Sequence, residues 1–146
     1  VASYKKEAPG HKLRHQIIEK FKGQMDVYGC GFGEFKHPKT PMLCDHMFSM
    51  AVMNSNHDDY FTEILTDTFA CGTVPIFWGT HNIGNYFNAD GIIQFDTLDE
   101  LECILETLTI DLYMSKMDAI KENFNKVNDH IVVEDYLYKN YKFLFE

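Results

Sequence analysis

The chain has 146 residues, 45% hydrophobic and 14% aromatic, which is enough apolar material for one domain with a real core and too much for a disordered chain. Its net charge of −9 argues against nonspecific binding to nucleic acid. No stretch approaches the roughly 18 consecutive apolar residues of a membrane span.

In chain order, Val1–Tyr4 is a short strand candidate, and Val1–Lys6 turns polar too soon for a signal peptide. The first residue is Val rather than Met, as in a fragment or processed product, so an upstream membrane anchor stays open. After Pro9-Gly10, His11–Lys22 reads as a helix with Leu13, Ile17, Ile18 and Phe21 on one face. Met25–Tyr28 is the next strand candidate. The turn Gly29-Cys30-Gly31-Phe32-Gly33 follows it, read mainly as a turn with donor contact as the alternative. Residues 34–41 read as a loop broken by Pro38 and Pro41.

Phe48–Met53 is an apolar run interrupted only by Ser49, as in a strand covered on both faces. Asn54–Asp59 is turn-like. Tyr60–Cys71 reads as a helix, with Asp58 or Asp59 as N-cap and Gly72 as C-terminal stop. Val74–Trp78 is a second buried strand, Asn82–Phe87 a short helix and Ile92–Phe95 a further strand. From about residue 97 the pattern is helical. Thr97 and Glu100 make a capping box, and further helices are expected from about Asp111 to Val127 and from Val133 to Phe145. Strands alternating with helices imply an α/β fold, a parallel sheet with helices on both faces, and one domain over 1–146.

The four cysteines, Cys30, Cys44, Cys71 and Cys103, contain no C-x-x-C pair, so reduced thiols are a simpler expectation than zinc or disulfides. Charge is unevenly placed: residues 1–42 carry eight Lys or Arg, and residues 43–115 carry none against twelve acids. A side-chain cation meeting an anionic ligand is therefore expected from the first 42 residues.

Ligands of open parallel sheets bind beyond the carboxyl ends of the strands. The turn Asn54–Asp59 sits at such an end, before a helix N-terminus that favours anions. Glu63, one turn on, suits a ribose because a carboxylate accepts hydrogen bonds from two neighbouring hydroxyls. Tyr60 offers a ring face and a hydroxyl. The alternative is that Asp58, Asp59 and Glu63 only stabilise the helix N-terminus. His57, Asp58, Asp59 and Glu63 also compose a possible hard-metal set, for which capping is the simpler account; no metal is expected.

The run Phe48–Ser55, then Asp59-Tyr60-Phe61-Thr62-Glu63, Asp67, Phe69 and Gly72–Gly79, resembles the donor-binding signature of the α-1,3/4-fucosyltransferase family. The resemblance continues through Asn82-Ile83, Phe87-Asn88 and Ile92–Asp96. Upstream, Ser3 and Lys12-Leu13-Arg14 are similar to a segment that supplies a phosphate-binding arginine. The resemblance implies the C-terminal half of a GT-B fold, two Rossmann-like domains with the active site between them. It also implies a nucleotide-sugar partner, GDP-fucose, and inverting transfer of fucose to a glycan acceptor with no obligatory metal or other cofactor. The acceptor and the catalytic base would belong to an N-terminal domain absent from this chain, which would not turn over alone. Carried over by position, Arg14 would contact the diphosphate, Asn54, Tyr60 and Thr62 would line the pocket, and Glu63 would bind the ribose. A bacterial or viral source would imply a cytoplasmic location.

Two positions depart from the family pattern. Ile64 stands where a lysine follows the Thr-Glu pair, and Met53 where a glutamate precedes the asparagine. Losing such a cation costs a few kcal/mol of transition-state stabilisation by analogy with oxyanion donors, about 3. Two alternatives follow: a related transferase using another nucleotide sugar, or a non-catalytic nucleotide-binding module with a decayed diphosphate site.

Overall fold

The computed structural model of the protein describes residues 4–29, 41–127 and 132–145. Helix α1 (Pro9–Phe21) and the short α2 (Pro41–Cys44) precede strand β1 (Phe48–Val52). Helix α3 (Glu63–Ala70), strand β2 (Val74–Trp78) and strand β3 (Ile93–Gln94) follow, with single 3-10 turns at Ile83–Asn85 and Ala89–Gly91 between the last two. Helices α4 (Leu98–Thr107), α5 (Ile110–Ser115), α6 (Met117–Val127) and α7 (Val133–Asn140) follow, and a 3-10 turn at Lys142–Leu144 stands where the last helix is expected to continue to Phe145.

Among the described residues the sheet has three strands in the order β1-β2-β3, all parallel. Phe48 to Val52 run beside Val74 to Trp78, and Ile76-Phe77 beside Ile93-Gln94. Side chains alternate across a strand, so each strand feeds two cores. Ala51, Phe77 and Ile92 pack with Leu65 and Phe69 of α3 and Val127 of α6 on one face. Val52, Ile76 and Phe95 pack with Ile17 and Phe21 of α1 and Leu101 of α4 on the other. The expected two-sided covering is therefore present, and it explains why β1 and β2 read as unbroken apolar runs. Burying a side chain such as Phe77 or Leu65 completely stabilises the fold by about 1.5–3 kcal/mol each.

Several expected boundaries differ. Met25–Tyr28 forms no strand; Gly29 alone makes an isolated bridge. Asp26 is instead drawn to His46, whose Nε2 lies 3.1 Å from its carboxylate. Tyr4 is exposed and outside any strand, while Val1–Ser3 and the Cys30–Gly33 turn lie outside the described residues. Helix α3 begins at Glu63, not Tyr60, and its cap is Thr62 rather than Asp58 or Asp59, because the Thr62 hydroxyl accepts from the Ile64 N–H. The C-terminal stop is as read: Gly72 has φ 68°, which a residue without a Cβ adopts freely. The helix expected over 111–127 is divided at Lys116, whose ammonium reaches the Asp90 carbonyl at 2.7 Å. The Thr97–Glu100 capping box is present at α4.

No helix among the described residues is long and apolar enough to cross a membrane.

Candidate donor site at the strand ends

The carboxyl end of β1 is closed by α1. Gly10 donates its backbone N–H to the Asn54 carbonyl at 3.0 Å, and a Cβ on Gly10 would lie 1.6 Å from the Met53 carbonyl oxygen. Only glycine permits this approach. One turn further along α1, Arg14 reaches the same place. Its Nε and Nη2 both donate to the Val52 carbonyl, at 2.9 and 2.7 Å, and Nη2 also donates to Asn54 Oδ1 at 2.7 Å. These bonds take three of the five donors of a guanidinium and leave the Nη1 pair without a hydrogen bond among the described residues. Burial pulls the Arg14 guanidinium below its ordinary value, and Tyr60 and Glu63 nearby act in the opposite direction. An arginine in water titrates far above neutral pH, so this one stays charged.

The sequence-predicted residues are thus gathered, with different roles. Arg14 and Asn54 are bonded to each other, and Tyr60 and Glu63 lie within electrostatic reach of Arg14. Glu63 is exposed at the first position of α3, where its charge also complements the helix dipole. Thr62 is engaged within the chain: its hydroxyl caps α3 and donates to the Met53 sulfur at 3.7 Å. Ile64, in the place of the lysine, is half-buried and packs against the Ala51–Phe69 core. A cavity of about 420 Å³ opens beside the site along β1, between α1 and α2. It shares Arg14, Val52 and Ile64 with the site, whereas Asn54, Tyr60 and Glu63 are not in its wall.

Sequence reasoning named Asp59 and Asn82 separately but missed their contact with each other and with Tyr86. Asp59 has φ 59°, a left-handed backbone that costs an ordinary residue about 1–2 kcal/mol. Its N–H donates to Asn82 Oδ1 at 3.0 Å, and its carboxylate accepts from Asn82 Nδ2 at 2.7 Å and from the Tyr86 hydroxyl at 2.8 Å. The bond to Asp59 pushes the Tyr86 hydroxyl above its ordinary value. The available signal was positional: Asn82 follows β2, at the same end of the sheet as Asn54. With Asp59 so engaged, the hard-metal set loses a member. No group of three or more His, Cys, Asp or Glu gathers as a metal site among the described residues.

Comparison with known proteins shows the family and the fold. A family model described as glycosyltransferase family 10 (fucosyltransferase) C-term matches residues 1–141. The mouse 4-galactosyl-N-acetylglucosaminide 3-alpha-L-fucosyltransferase 9 is 35% identical over 108 residues, covering 68% of this chain and 30% of its own length. A putative fucosyltransferase-like protein of Arabidopsis thaliana is 30% identical over 74 residues, 50% of this chain and 14% of its own. Among solved structures, an alpha1,3-fucosyltransferase with GDP-fucose superposes with TM-score 0.64 at 22% identity, over 79% of this chain and 36% of that one. That likeness is one of fold. The chain spans about a third or less of the length of the relatives it matches.

Proposed function

This chain belongs to glycosyltransferase family 10, the fucosyltransferases, matching its C-terminal domain, and from that premise we propose that its strand-end site binds GDP-fucose as donor for inverting fucosyl transfer to a glycan. The observation that carries the reading is Arg14, locked at the end of β1 with its Nη1 donors unspent among the described residues. Negative charge grows on the GDP oxygens as the bond to the sugar breaks. A guanidinium already oriented by Val52 and Asn54 stabilises that charge without reorganising. Glu63 accepts hydrogen bonds from the ribose hydroxyls, and the ring of Tyr60 gives the nucleotide an apolar face. In this reading the nucleotide needs no obligatory metal. The acceptor and the base that takes its hydroxyl proton belong to an acceptor-binding half, and this chain alone binds donor without turnover.

Ile64 favours a second reading, a nucleotide-binding module whose diphosphate site has decayed, since an apolar side chain packs on the core where the family pattern has a cation. Calorimetry with GDP, GDP-fucose, UDP-sugars and CMP-sugars separates the possibilities. The first reading predicts heat with the guanine nucleotides, weakened by Glu63→Ala. Heat only with another nucleotide sugar would replace the donor. A rise in GDP affinity of about tenfold or more in Ile64→Lys, the worth of one charge-assisted contact, would favour decay.

A further inference from the structure

Resting on that donor-site reading, we propose that Asp59, Asn82 and Tyr86 form a latch that positions Tyr60 and Glu63, so that the turn after β2 sets ligand affinity in the turn after β1. Asp59 is the one non-glycine residue with a left-handed backbone among the described residues. An L side chain rarely rests there unless its surroundings hold it. The Asn82 carboxamide does so with both ends, accepting from the Asp59 N–H and donating to its carboxylate. The carboxamide is itself fixed by the hydroxyl of buried Thr80, which donates to the same Oδ1, and the Thr80 carbonyl accepts from Gln94 at the end of β3.

Tyr86 completes the device from the other side. Its hydroxyl donates to Asp59, and its ring packs on Phe61 with centroids 5.1 Å apart. Phe61 is held in turn against buried Phe87 at 5.4 Å. The residues on both sides of Tyr60 are therefore pinned by one short turn, and Tyr60 between them is left little freedom. Glu63 follows within one turn of chain. Asp59, Asn82 and Tyr86 act in this way as positioning residues.

The test compares Asp59→Asn, Asp59→Gly, Asn82→Ala and Tyr86→Phe with the unaltered chain by amide hydrogen exchange, thermal unfolding and GDP titration. Asp59→Asn keeps an acceptor for both partners and retains protection and affinity. Asp59→Gly adopts the left-handed backbone freely and keeps the N–H bond to Asn82, but loses both carboxylate bonds of the latch. The latch predicts faster exchange at residues 57–62 in Asp59→Gly, Asn82→Ala and Tyr86→Phe, with core exchange unchanged. GDP affinity falls about tenfold in Tyr86→Phe, the worth of one hydrogen bond to a carboxylate, and further in Asn82→Ala. Unchanged exchange at 57–62 would overturn the latch whether or not nucleotide binds. Faster exchange with unchanged GDP affinity would overturn its effect on the ligand. An unaltered chain that gives no heat with GDP would instead remove the donor reading, leaving the exchange result to decide the latch.

Discussion

Thr62 shows how one side chain can belong to a ligand signature and still be spent inside the fold. Its hydroxyl caps α3 and touches the Met53 sulfur. Thr62→Ala should therefore cost about 1 kcal/mol of stability, within roughly 0.5–2, as measured by urea unfolding; no loss would mean that the hydroxyl is free to serve a ligand. Cys71 offers a pH-dependent check. Burial pushes its thiol up to about 12, with Cys44 adding to the shift. The neutral thiol is thus favoured, and the reactive thiolate stays scarce until pH approaches that value. Site-resolved alkylation should find Cys71 slow at pH 8, slower than exposed Cys103, with a rate still climbing at pH 10. A plateau near pH 9 would contradict the buried setting. Arg14 was legible as a candidate because residues 43–115 hold no cation against twelve acids, and Glu63 because of its place just after the turn that ends β1. That Arg14 would be anchored on the Val52 carbonyl was not legible, since the contact joins residues 38 apart.

At the scale of elements, apolar runs bounded by Asn, Gly and Asp gave β1, β2 and β3 their places, because strands buried on both faces admit few polar residues. Helix starts were less visible. Asp58 and Asp59 have the chemistry of caps, but Asn82 draws Asp59 into a left-handed backbone, which ends any helix there. Likewise Met25–Tyr28 carries strand-forming residues, yet pairing depends on neighbours that no local pattern specifies. The docking of α1 on β1 is open to a direct test at Gly10. Gly10→Ala places a Cβ inside contact distance of the Met53 backbone, so α1 must shift and carry Arg14 with it. We expect lower thermal stability and weaker GDP binding together, read by calorimetry. Unchanged binding would show that Arg14 does not depend on this docking.

At the scale of the molecule, helix α1 lies across the end of β1, and its Arg14 carries a cation to strand ends whose segment, residues 43–115, has none of its own. Exposed Tyr138, Phe143, Leu144 and Phe145 gather near the last helix, and the chain spans about a third or less of the relatives it matches. The family and its parallel sheet rest on residues distributed through the whole chain, so they were readable from sequence. The proposed donor site rests instead on a few long-range contacts, such as those of Arg14 with Val52 and Asn54, which no local pattern specifies. Titration of GDP-fucose into this chain, compared with Arg14→Ala and Arg14→Lys, is the most direct measurement of the account. It predicts a dissociation constant of millimolar or tighter. Arg14→Ala should weaken it by about tenfold or more, as removal of a charge-assisted contact does, and Arg14→Lys should weaken it less. Absence of heat with any guanine nucleotide, or equal affinity in a folded Arg14→Ala chain, would contradict it.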